Sequence, residues 1–115
     1  MNQKQFESII NNVHSKRMDL LISKRHDYAN EDILSNFKRV SILCGQLGID
    51  VSTPFGANMF LVVLKLDRLM NLYRKKAKPE NESVEDTYCD FHNYLDLALA
   101  NYTEEVEEPK EINKK

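Results

Sequence analysis

Apolar positions recur at helical steps along most of this 115-residue chain. Phe6, Ile9, Ile10, Val13, Leu20 and Leu21 keep the spacing of one helix face, with Arg17 taking one turn of the stripe. They predict a first helix ending near Ser23. The next stretch, KRHDYANE from Lys24 to Glu31, loses the period and gathers polar groups that favour caps and turns, so it reads as a helix end and a loop. Ile33, Phe37, Val40, Cys44 and Leu47 then alternate steps of four and three. Asp32 offers a cap for this second helix, and Gly48 supplies the left-handed stop. Thr53 before Pro54 is an N-cap with proline at the first helical position, and opens a third helix. Its Phe55, Met59, Val62, Leu66, Leu69 and Tyr73 form one face, while Phe60, Leu61, Val63, Leu64 and Leu72 cover much of the rest. A helix apolar nearly all round is expected at the centre of the fold. The segment RKKAKPEN, Arg74 to Asn81, breaks it. Ser83 with Asp86 forms a capping box for a fourth helix, whose expected buried stripe is Val84, Tyr88, Phe91, Leu95, Ala98 and Tyr102. Beyond it, TEEVEEPKEINKK has almost nothing to bury. The expected organisation is one helical domain over residues 1–102 and a disordered charged tail over 103–115.

Composition narrows the class. Three Gly and three Pro are too few for the tight turns of a β-sandwich or barrel, and 115 residues build one core, which excludes a multidomain enzyme. The expected fold is therefore all-α, a compact four-helix bundle-like domain. Four short helices around an apolar third one leave much surface to cover, so a homo-oligomer is expected as well. The net charge of −2 resides in the tail, and the balanced remainder argues against a nucleic-acid polymer as partner. Cys44 and Cys89 lack the density of a disulfide scaffold and the spacing of a zinc site, and read as reduced core residues. The N-terminal MNQKQFESIINN has no apolar signal core, and the apolar run from Met59 to Leu64 is cut by Lys65. No membrane association and a cytoplasmic location are expected.

Three constellations could carry chemistry. Glu82, Asp86, Asp90 and Asn93 follow one another at steps of four, four and three on the fourth helix. That stripe is either a solvated face or a set of oxygen ligands for Mg²⁺ or Mn²⁺. Lys65 and Arg68 lie one turn apart on the central helix, where a cation needs either a carboxylate partner or a phosphate. Lys24, Asp27, Tyr28, Asp32 and Asn36 gather on and after the first interhelix segment, and Tyr28 there could stack on a base or pack on the second helix. His14, His26 and His92 are scattered without ligand spacing and read as surface residues. There is neither a Gly-rich phosphate loop nor a Ser or Cys nucleophile with a nearby base.

The segments KRHDYANEDILSNF, KLDRLMNLYR and ENESVEDTYCDFHNYL, in that order, resemble the phage-enriched nucleotide modification associated domain. The resemblance covers roughly residues 24–102. It implies a small helical domain of phages and bacteria in which Lys24, Asp27, Tyr28 and Asn36 face one pocket with Glu82, Asp86 and Asp90. More distantly the chain is similar to the all-α NTP pyrophosphohydrolases of the MazG and dimeric dUTPase type, which hold Mg²⁺ with acidic pairs on adjacent helices. Lys65 and Arg68 stand where such a hydrolase shows acids. A domain with that exchange is expected to bind a phosphate-bearing nucleotide through Lys24, Asp27, Tyr28, Asn36, Lys65, Arg68 and Asn93 without cleaving it. Phage proteins of this general kind, called sponges, sequester the cyclic nucleotide signals of bacterial immunity. The alternative is a Mg²⁺-dependent pyrophosphohydrolase with Glu82, Asp86 and Asp90 as metal ligands.

Overall fold

The computed structural model describes residues 1–76, 78–80 and 83–107. It is all-helical: α1 spans Gln3–Tyr28, α2 Ser35–Leu47, α3 Pro54–Lys75 and α4 Val84–Tyr102, with no strand among the described residues. α3 is central, packing against α4, α2 and α1.

Local chemistry fixes most of the boundaries. Asn2 caps α1 by accepting the Gln5 amide, and Gln5 returns the bond to the Asn2 amide. Gly48 closes α2 in the left-handed region at φ 70°, where a side chain would be strained. Thr53 caps α3 by accepting the Gly56 amide at 3.0 Å. Ser83 and Asp86 form the expected box ahead of α4. Gly56 is buried against the preceding turn, and a Cβ there would lie 1.7 Å from the Asp50 carbonyl oxygen. Only glycine permits that approach.

Several expectations are corrected. α1 continues through Tyr28, so most of the supposed loop is helix. Asp32 does not cap α2 at its Ncap, which is Leu34; its carboxylate accepts the Leu34 amide at 3.0 Å from outside the helix. Helical structure also passes Tyr102 into a π-helical turn, Thr103–Glu107, where the Glu105 carboxylate accepts the Phe55 amide at 2.7 Å. An acid is favoured there because the α3 N-terminus carries unsatisfied amides and positive dipole charge. The rest of the supposed tail, 108–115, lies outside the described residues. Cys89 is exposed and Cys44 half-buried, both free, so neither is a fully buried core residue.

The burial pattern departs furthest from expectation. Of the α4 stripe only Ala98 is buried, and of the α2 stripe only Val40. Leu66 and Tyr73 of the α3 face are exposed. The buried side of α3 is instead Gly56, Asn58, Val62, Val63, Asp67, Arg68, Asn71 and Leu72, half of it polar.

Candidate functional site

The polar interior begins where α1 ends. A helix leaves its last carbonyls without internal partners. Here each finds a side-chain donor from another helix. Lys75 Nζ donates to the His26 carbonyl at 2.8 Å, Asn71 Nδ2 to Asp27 at 3.0 Å, Arg39 Nη2 to Tyr28 at 3.1 Å, and Lys75 Nζ again to Ala29 at 2.7 Å. Within KRHDYANE the carbonyls of residues 26–29 thus have polar, protein-borne partners, while the side chains of Lys24, Asn30 and Glu31 are exposed.

Asp27 and Arg68 hold the centre. Both side chains are 0% exposed, and Arg68 Nη2 donates to Asp27 Oδ2 at 2.5 Å. Arg68 Nη1 donates to the buried Thr87 hydroxyl on α4, and the Glu80 amide donates to Asp27 Oδ1 at 2.7 Å. The guanidinium carbon lies 5.8 Å from the centre of the Tyr28 ring. Beside this pair, Arg39 grips the buried Asp67 carboxylate at 2.6 and 2.9 Å, and that bond raises the Arg39 pKa. One buried charge pair, Asp27–Arg68, joins α1 to α3 and reaches α4 through Thr87, and a half-buried one, Arg39–Asp67, joins α2 to α3. Removing one partner of the buried pair would be strongly destabilising.

The remaining sequence-derived candidates separate around this centre. Asn36 is buried and accepts from Arg25 Nη1 at 2.7 Å. Lys65 pairs with Asp90 at 3.2 Å. Lys24 and Asn93 are exposed. Asp86 is exposed and serves the cap of its own helix, while Glu82 lies outside the described residues. Among the described residues, no three His, Cys, Asp or Glu side chains group in a way that could hold a metal ion. The structure thus brings Asp27, Tyr28 and Arg68 together and places Lys24 and Asn93 at the surface.

Two cations that the sequence reading passed over differ from the others in what they touch. Arg25 donates only to oxygens that carry no charge, the Ile33 carbonyl at 3.0 Å and the Asn36 amide, and stacks 5.1 Å above the Phe37 ring. Lys75 holds the two α1 carbonyls named above. Neither has a carboxylate within ion-pair distance among the described residues. Both line a cleft of about 420 Å³ between the end of α1, the segment ahead of α2 and the end of α3, with Leu21 and Ile33 as apolar wall. His26 and Glu80, 3.3 Å apart, close one side. Arg25 and Lys75 had a faint signal: each sits in the last turn of a helix, where cations complement the dipole. On the neighbouring side of α1 a groove, also about 420 Å³, is lined by His14, Arg17, Met18 and Lys24.

No family model, no curated protein and no solved structure matches the chain. No helix among the described residues is long and apolar enough to cross a membrane.

Proposed function

We propose that the chain binds a phosphate-bearing nucleotide in the cleft between the end of α1, the segment ahead of α2 and the end of α3, and holds it without cleaving it. The observation that carries this reading is the state of Arg25 and Lys75. Both are fixed in place by neutral oxygens beside an open cleft, so their positive charge is left for an anion from solution. The cations first considered, Lys65 and Arg68, spend at least part of theirs on Asp90 and Asp27. Arg25 supplies a planar fork and Lys75 a point charge, while Leu21 and Ile33 offer apolar wall to a base or sugar. Sequestration of a cyclic nucleotide signal, as phage sponge proteins perform it, is the role this reading assigns. It also takes the chain as a homo-oligomer, because large apolar side chains are exposed on every helix.

Calorimetric titration with nucleoside triphosphates and cyclic dinucleotides, in Mg²⁺ and in EDTA, tests it. The ligand is expected to bind in EDTA and to be recovered intact. Arg25→Ala or Lys75→Met should each cost about 1.5–3 kcal/mol of affinity, the scale of a hydrogen bond to a charged group. Melting curves of both variants check that the fold survives. Pyrophosphate release that needs Mg²⁺ would return the protein to the hydrolase class.

A further inference from the structure

The first six turns of α1 present an apolar face that none of the described residues covers. Every residue from Met1 to Ile22 is exposed. Phe6, Ile9, Ile10, Val13 and Leu20 stand about half exposed along one side. Helix propensity does not explain why this arm is helical. SIINNV, residues 8–13, is rich in β-branched and short polar side chains, and the first turn has no acid. A lone helix of this length is marginal in water and gains its stability by packing. The arm cannot fold back on its own domain, because α1 runs unbroken to the Asp27 anchor.

We infer that this face is the contact between two copies of the chain, paired antiparallel about Val13. This deepens the oligomeric reading above by naming the surface. At Phe6, Val13 and Leu20 the stripe has the symmetry such a pairing needs, while Ile9 and Ile10 fall level with the partner's Arg17 and the partner's Lys16. Phe6 and Leu20 each lie seven residues from Val13, so a twofold axis at Val13 sets Phe6 against the partner's Leu20 and Val13 against its equivalent. The same register brings Glu7 within a turn of the partner's Arg17, giving the one cation inside the stripe an opposite charge. That Arg17 donates to its own His14 at 2.9 Å, which holds it on this side of the helix. A helix pair about 30 Å long removes on the order of 700–800 Å² from each copy, a standard interface. A foreign helix would gain nothing from the symmetry.

Light scattering on the full chain during size exclusion tests this, alongside an Ile10→Glu/Val13→Glu variant. Both substitutions lie on the exposed arm, so the melting transition of the Asp27 and Arg68 core remains as the fold check. The wild type is expected to elute as an oligomer at least twice the 13.4 kDa chain mass, and the double variant to fall to a smaller species. In a Cys44→Ser/Cys89→Ser background, a short bismaleimide should join copies through Val13→Cys and fail through Met18→Cys, about 140° around the helix. A monomeric wild type overturns the surface and the oligomer together. An oligomer unchanged by the double variant, or cross-linked equally at both cysteines, overturns the surface alone.

Discussion

The two ends of α1 invert the usual rule about what lies inside. Its first six turns expose Phe6, Ile9, Ile10, Val13 and Leu20, whereas its last turn buries Asp27 completely. The difference lies in the partners available. Asp27 meets Arg68, and the carbonyls beside it meet Asn71, Arg39 and Lys75, so these buried oxygens all have polar partners. The apolar arm is left exposed among the described residues. Burial follows complementarity, and hydropathy reports it only when the complement is apolar.

Removing one half of the buried pair should break this contrast most severely. Asp27→Ala leaves the Arg68 charge buried beside Tyr28 and Thr87, and should cost about 3–5 kcal/mol in urea melts, as should Arg68→Ala. Replacing both by apolar residues, Asp27→Leu with Arg68→Met, should recover part of that loss, since neither charge of the pair is then left without the other. Next in size is Gly56→Ala, which drives a methyl into the Asp50 carbonyl and should cost about 1–3 kcal/mol. A chain that melts unchanged would show that the turn before α3 yields easily.

The arm should respond far less. Leu20→Gln, read at a dilution where copies separate, should shift unfolding by no more than about 0.5 kcal/mol. A larger effect at that dilution would mean that the arm packs within its own chain. Smallest is a pH effect at the start of α2. The Lys38 ammonium and the Leu34 amide hold the Asp32 carboxyl below its usual 3.8. The carboxylate form therefore supports the fold above that value, and its contribution is lost as pH falls through the lowered folded value. Carboxyl-detected NMR titration should place Asp32 below 3.8, and Asp32→Asn should remove the dependence.

Where one residue sets the backbone, the sequence was legible. Gly48, Thr53 with Pro54, and Ser83 with Asp86 each gave a boundary that the structure keeps. Periodicity located four helices and the central one. It could not say which side of each helix is buried, because Asn58, Asp67, Arg68 and Asn71 read as breaks in an apolar face when they are the face. The same limit hid the end of α1. A polar octapeptide looks alike whether its partners are water or the side chains of α2 and α3. Asp67 stood in view between Lys65 and Arg68, and three charges inside an otherwise apolar helix are a signal for buried pairing. Arg25 and Lys75 were harder, since what sets them apart is the lack of a nearby carboxylate, a fact of three dimensions.

The central claim is that the cations paired with buried carboxylates, Arg39 and Arg68, and the ligand-binding cations, Arg25 and Lys75, are different residues in this molecule. Nitrogen-detected NMR of the full chain, with the guanidinium and ammonium groups resolved, tests it during titration with a cyclic dinucleotide in EDTA. The account predicts that the Arg25 and Lys75 side chains shift and that backbone amides around Leu21, Ile33 and Glu80 shift with them, while the Arg68 guanidinium keeps its position. Shifts centred on Lys65 and Arg68, with Arg25 and Lys75 unmoved, would contradict it.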